Sequence, residues 1–219
     1  MKKFYFFLFT IASFLFAPAF SQVNQKGDFQ VWLHPIYTHP LTSKLNWSIE
    51  EESRWGNDAT ELYHVFIETF LRYSRAKWID VGIGYRQSWV REELRNKWHH
   101  FYIPMFEVTF RGEVAGWKVA DRHRVQYSVG PSEFPDVTYR NRLRVTTPWR
   151  IGHLTPFAFN EIFWRERVEG VFENRFATGV TLEMNKRIKT DIYYMLRTLF
   201  IAQEWRNMNV FNLFFYLTY

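Results

Sequence analysis

The chain ends on a pattern that few folds can accommodate. From Phe211 to Tyr219 it reads Phe-Asn-Leu-Phe-Phe-Tyr-Leu-Thr-Tyr, and every second residue counted back from Tyr219 is large and apolar. Residues two apart share one face of a β-strand, so Phe211, Leu213, Phe215, Leu217 and Tyr219 form a single apolar stripe. A terminal strand with such an outer face needs something to cover it, either the second layer of a sandwich or the hydrocarbon of a bilayer. We read these five residues as the assembly signal of an outer-membrane barrel, the feature that the barrel-assembly machinery engages during biogenesis.

The same period of two recurs upstream. Asp28 to Tyr37 alternates loosely, and Pro35 marks it as an edge-like first strand. Between Lys44 and Arg54, Leu45, Trp47 and Ile49 oppose Asn46, Ser48, Glu50, Glu52 and Arg54; after a polar turn, Val65 to Tyr73 opposes Phe66, Glu68, Phe70 and Arg72. Ile79, Val81, Ile83 and Tyr85 then oppose Asp80, Gly82, Gly84 and Arg86, and Tyr102 to Phe110 opposes Glu107, Thr109 and Arg111. The strand from Trp117 to Val129 sets Lys118, Ala120, Arg122, Arg124 and Gln126 against a face of Val119, Val125 and Tyr127 that also carries Asp121 and His123. Arg140, Arg142 and Arg144 alternate with Tyr139, Leu143 and Val145, and Thr155 to Arg165 carries Glu161. In Phe172 to Asn185, Phe176, Val180 and Leu182 oppose Glu173, Arg175, Ala177, Gly179 and Glu183, and Thr190 to Gln203 sets Ile192, Tyr194 and Leu196 against Asp191, Tyr193 and Arg197.

These are eleven candidate strands with turns between them and no helical stretch. A sandwich gives similar spacing, but its strands seldom set a wholly apolar face against one that carries mid-strand charges mixed with Gly, Ala, Ser and Thr. An apolar outside and a polar lumen explain both faces, and a sheet in lipid must close because its edges cannot be solvated. The expected fold is an all-β, outer-membrane-type transmembrane antiparallel up-and-down β-barrel of ten to twelve strands. Bacterial single-chain barrels have even counts, so eleven implies either a dispensable first strand or one not recognised near the N-terminus. With the last strand running inward, the turns near Ala76, 112–116, 151–154 and 184–188 are periplasmic. The generally longer loops at 91–97, 130–136, 167–173 and 204–208 are then external.

Composition fits this placement. Aromatic residues make up 21% of the chain (23 Phe, 12 Tyr and 10 Trp), yet its mean hydropathy is −0.31. Lys2 and Lys3, the apolar run Phe4 to Phe16, and small residues at Ala19 and Ser21 predict a signal peptide over 1–21, with a single barrel domain over 22–219. The chain has no cysteine, which excludes disulfides, thiolate metal sites and lipoprotein processing. The net charge of +6 is modest, and export argues against nucleic acid as a partner.

The inward face gathers Glu50, Glu52, Arg54, Glu68, Arg72, Arg86, Glu107, Arg122, Arg124, Arg140, Arg142, Arg144, Glu161, Glu173, Arg175 and Arg197, along with Asp80, Arg111, Glu183 and Asp191. In a narrow lumen these charges must pair or meet water, and the planar guanidinium suits bridging between carboxylates. They form either a rigidifying ion-pair lattice or, around Arg122, Arg124, Arg140, Arg142 and Arg144, a basic constriction that selects a small anionic solute. For catalysis, His64, His99, His100, His123 and His153 with Ser88 and Ser128 are the available groups, but no G-x-S-x-G, H-E-x-x-H or phosphate-binding glycine loop is present. No catalytic residue, metal site or cofactor is therefore assigned.

Short motifs in a fixed order carry a resemblance. These are Asp28-Phe-Gln-Val-Trp32, Glu50-Glu-Glu-Ser-Arg54, Gly84-Tyr-Arg86, His123-Arg124, Tyr139-Arg-Asn-Arg142, Pro156 through Glu161, and Asn174-Arg175 with Gly179. In these the chain, over roughly residues 28 to 219, resembles the uncharacterised β-barrel family known as domain of unknown function 2490. The resemblance implies a bacterial outer-membrane barrel of the kind common in Bacteroidota, in contact with outer-membrane lipids, and supplies no reaction or ligand. The expected role is structural, a narrow barrel without enzymatic activity. A narrow anion-preferring, porin-like pore and a lipid-modifying enzyme are the alternatives.

Overall fold

The computed structural model describes residues 23–92, 97–131 and 135–219, so the expected signal peptide lies outside the described residues. Eleven strands follow one another: β1 (Phe29–Pro40), β2 (Leu45–Gly56), β3 (Glu61–Ala76), β4 (Ile79–Glu92), β5 (Lys97–Val114), β6 (Trp117–Ser128), β7 (Asp136–Thr146), β8 (Leu154–Arg165), β9 (Gly170–Glu183), β10 (Ile188–Ile201) and β11 (Glu204–Thr218). They form one closed barrel in which each strand pairs antiparallel with the next. Each expected strand is present, so the all-β, mostly antiparallel barrel read from the alternation holds.

The expectation of an even count does not. The barrel keeps eleven strands because β1 closes on β11 in parallel, from Phe29 opposite Asn209 to Thr38 opposite Thr218. Pro35 does not exclude β1 from the sheet. Its missing N–H leaves His34 and Pro35 without partners on β2, where the ladder resumes at Ile36 opposite Glu50.

The strands are longer than the alternation suggested, and this removes the expected difference in loop length. At the end where β11 finishes, the connections are 41–44, 77–78, 115–116, 147–153 and 184–187; at the other end they are 57–60, 93–96, 129–135, 166–169 and 202–203. The two sets are nearly equal in length. The expected outer loop 204–208 is the start of β11, and most of the expected turn 112–116 is strand, leaving Ala115 and Gly116 at φ 50° and 80° as a tight hairpin turn.

Alternation divides the side chains between two environments. The outer face exposes a central band that includes Ile67, Ile83, Phe106, Leu143, Phe176 and Leu196. Near the end where β11 finishes, Trp47, Tyr73, Trp78, Trp117, Trp149 and Tyr219 are exposed; near the other end, Trp98, Tyr102, Tyr127, Trp164 and Trp205 are. The inner face mixes charges with rings. Phe70 lies across β4, where a Cβ on Gly84 would come within 2.5 Å of its ring, and Tyr193 crosses Gly179, where a Cβ would lie 2.3 Å from both the Ile192 carbonyl oxygen and the Tyr193 Cβ. The inward glycines make room for aromatic filling.

Candidate functional site

The lumen has two unlike halves. In the half where β1 begins it is packed. Phe163, Phe172, Leu199 and Met208 form one buried cluster, and Trp32, Gln30 and Phe66 are at most 2% exposed. The segment before β1 folds into this end. Val23 is buried, and the Asn24 side-chain oxygen accepts hydrogen bonds from Arg197 (2.7 Å) and Gln30 (3.1 Å). Three guanidinium groups surround Trp32, with Arg54 at 3.7 Å, Arg175 at 4.9 Å and Arg197 at 5.5 Å from the ring centre. Stacking on a ring partly compensates a guanidinium for lost water.

Below this, carboxylates and arginines link around the wall. Arg86 and Arg124 donate to Glu68, and Arg124 (2.6 Å) and Arg72 (3.1 Å) donate to Glu107. Arg122 (2.7 Å) and Arg140 (2.9 Å) donate to one oxygen of Glu161, with Arg175 at 3.7 Å from the other. Arg175 (2.6 Å) and Arg197 (2.7 Å) then share an oxygen of Glu173. Glu68, Glu107, Glu161 and Glu173 are each 4% exposed or less. Each bridges at least two guanidinium groups, which offsets the desolvation that a lone buried carboxylate could not sustain.

The half toward the end of β11 holds a basin of about 510 Å³, lined among others by Thr38, Asn46, Ser74, Asp80, Arg111, Ala120, Arg144 and Tyr216. These lie near the turns 41–44, 77–78, 115–116 and 184–187, so the basin opens at that end. Fourteen of the sixteen lumen residues expected from sequence line it; Glu173 and Arg197 sit above it in the packed half. The five arginines read as a basic constriction lie on the adjacent strands β6 and β7 and make one wall of the basin. Arg122 faces Arg142 and Arg124 faces Arg140 across β6 and β7, with Arg144 next along β7. Their commitments differ. Arg124 and Arg140 are held by glutamates, and Arg144 donates to Asp191 (2.7 Å) and Thr181 (3.1 Å). Among the described residues, the Arg142 side chain has no hydrogen bond or ion pair and lies over the Phe159 ring, 5.2 Å from its centre. The Nε atoms of Arg122 and Arg140 are buried and unbonded.

On the opposite wall the structure adds residues absent from the sequence-based set. The His34 Nδ1 lies 2.7 Å from Glu52 and 3.2 Å from Glu50, and its ring stacks on Phe214 at 3.7 Å. Alternation from Gln30 through Trp32 to His34 carried the signal for this inward position, as it did for Tyr193, Phe214 and Tyr216. Among the described residues His34, Glu50 and Glu52 have a spacing that a metal ion could bridge, with ligand atoms within 4.8 Å of one another. Arg54 already pairs with Glu52, and the arginine-rich basin weighs against a cation there.

The candidate catalytic groups do not converge. His64 Nε2 meets the Ser88 Oγ at 2.7 Å, but Ser88 is only 3% exposed, and among the described residues no carboxylate bonds His64. His99 pairs with Glu92, and His100 stacks on Trp89. His153 is exposed in the connection after β7. The irregular pair Asp121 and His123 lies on the outer face, where His123 bridges Asp121 (3.0 Å) and the Tyr139 hydroxyl (2.6 Å), and Asn141 donates to Asp121 (2.6 Å). Each of these four side chains has a partner within the cluster.

Fold and lumen together define a closed eleven-stranded β-barrel with a charged interior, packed at one end and open at the other. The profile of the family described as "Protein of unknown function (DUF2490)" matches residues 29–208, and the chain belongs to that family. No curated protein and no solved structure matches the chain.

Proposed function

We propose that the protein is an outer-membrane barrel that seals instead of conducting, with its ion-pair lattice serving as rigid filling. Membrane placement is supported by the exposed apolar band between two sets of aromatic residues, the arrangement that matches hydrocarbon between two interfaces. With the C-terminal stripe read as an assembly signal, the proposed orientation has the end of β11 at the periplasm, the basin opening there and the packed end facing outward. The observation that carries the sealed reading is the filled upper lumen, where Gln30, Trp32, Phe66 and Met208 leave at most 2% of their surface accessible.

The arginine excess of the basin favours a second reading, the narrow anion pore, and the same experiment decides between them. Refolded protein in a planar bilayer is expected to give no current steps, whereas stable anion-selective steps would overturn the sealed barrel. A lipid-modifying enzyme has only the His64–Ser88 contact in its favour, and that contact lies in the packed half. We therefore assign no enzymatic activity.

A further inference from the structure

The basin is not electrically balanced. Ten arginines line it against six carboxylates, and Asp191, which holds Arg144 at the basin's edge, still leaves three positive charges in excess. Its mouth adds Lys118, Arg150 and Lys189 against Glu183. A recess with low-dielectric walls focuses such a field and concentrates anions. Within it the side chains are unequally engaged. Arg142 has no hydrogen-bond or ion-pair partner among the described residues, and Arg122, directly opposite it in register, keeps a buried unbonded Nε. Like charges facing each other across a sheet repel. Arg142 is thus held by the Phe159 ring with no carboxylate within ion-pair distance among the described residues, which leaves its donors open to the basin.

We propose that the basin is a binding site for a compact soluble polyanion, one carrying at least two negative charges as phosphate or carboxylate groups, held by Arg142 and Arg122. The volume of about 510 Å³ lies within the range of small-ligand sites. The planar fork of guanidinium matches carboxylate and phosphate oxygens. Access from the open end admits a soluble anion, and the continuous strand wall separates the basin from a lipid headgroup. Across the basin, Glu50 has His34 as its nearest partner and offers an acceptor to a hydroxyl on the same ligand. The inference goes beyond the sealed-barrel reading and does not require it: conductance tests that reading, and binding tests this one.

The experiment is calorimetric titration of the refolded full barrel in non-ionic detergent at about 0.15 M NaCl, with pyrophosphate and citrate as probes and phosphatidylglycerol micelles as the lipid arm. One saturable site is expected for at least one of the two soluble probes. Arg142→Gln is expected to weaken it about tenfold to a hundredfold, the range for one charged hydrogen-bonding group, and Arg142→Lys is expected to fall between. Arg187→Gln, at an exposed turn outside the basin, serves as control and should leave affinity unchanged. Urea unfolding midpoints for each variant separate lost binding from lost fold. Failure of both soluble probes to saturate, equal losses in Arg142→Gln and Arg187→Gln, or a response to the lipid arm alone would overturn the proposal.

Discussion

Glu161 pairs with Arg122, Arg140 and Arg175, and replacing it by Gln tests whether the lattice holds the barrel together. The side chain is 2% exposed, and one of its oxygens accepts from both Arg122 and Arg140. Glu161→Gln keeps the shape but turns one acceptor into a donor aimed at guanidinium and removes the one carboxylate that pairs with Arg140 among the described residues. Breaking a buried pair by removing one partner costs about 3–5 kcal/mol. Basin water reaching Arg122 favours the lower figure, about 3 kcal/mol. At a urea slope of about 3 kcal/mol per molar, the unfolding midpoint should fall by about 1 M. Tryptophan fluorescence of protein refolded into lipid vesicles reads the transition. Arg140→Met should also destabilise, and the double variant should lose less than the sum of the two, with a coupling of about 1.5–3 kcal/mol. A midpoint shift under about 0.2 M, or strict additivity, would mean that these charges are screened by water and contribute little, and the lattice argument would fail.

Gly179→Ala should destabilise by about 3 kcal/mol in the same assay, since its Cβ would meet backbone of β10, whereas Gly112→Ala, with nothing within 4 Å, should be neutral; equal effects would show that the Tyr193 crossing is adaptable. On the outer face, Asp121→Leu alone strands His123 and Asn141 and should cost about 1–2 kcal/mol, while the triple change to Leu at Asp121, His123 and Asn141 should restore stability in vesicles; a triple variant worse than the single would show that the cluster needs a polar neighbour. Phe215→Ala with Tyr219→Ala should lower the yield of heat-modifiable barrel in cell membranes while leaving refolding into detergent intact. An unchanged cellular yield would remove those residues from the assembly signal.

Alternation made the barrel wall legible because in a sheet a residue's face follows from its position alone, whatever its long-range partner. For that reason Glu68, Glu107, Arg124 and Glu161 could be assigned inward before any contact was known. The same rule covered Trp32, Phe66, Phe70 and Phe214, but an expectation of a polar lumen directed attention to the charges and away from the rings. Closure was not legible. All eleven candidate strands are present, but the parity rule points to ten or twelve, and nothing local in β1 or β11 distinguishes a parallel seam from an antiparallel one. Nor was the division into packed and open halves, which depends on which side chains meet across the lumen: Arg142 and Arg124 look alike on their strands, yet among the described residues one has no ion-pair partner and the other bridges two glutamates.

The parallel pairing of β1 with β11 also bears on how the chain is threaded. In a barrel of even count both termini end on the side from which the chain arrives. Here they are separated, with Val23 and Asn24 packed into the end opposite the C-terminus; in the orientation proposed above, the segment ahead of β1 has to reach the cell surface. That journey is possible only while the sheet is still open, so the β1–β11 seam has to be the last to zip. A folded domain fused ahead of Val23 should therefore arrest biogenesis, and the same domain fused after Tyr219 should be carried without harm.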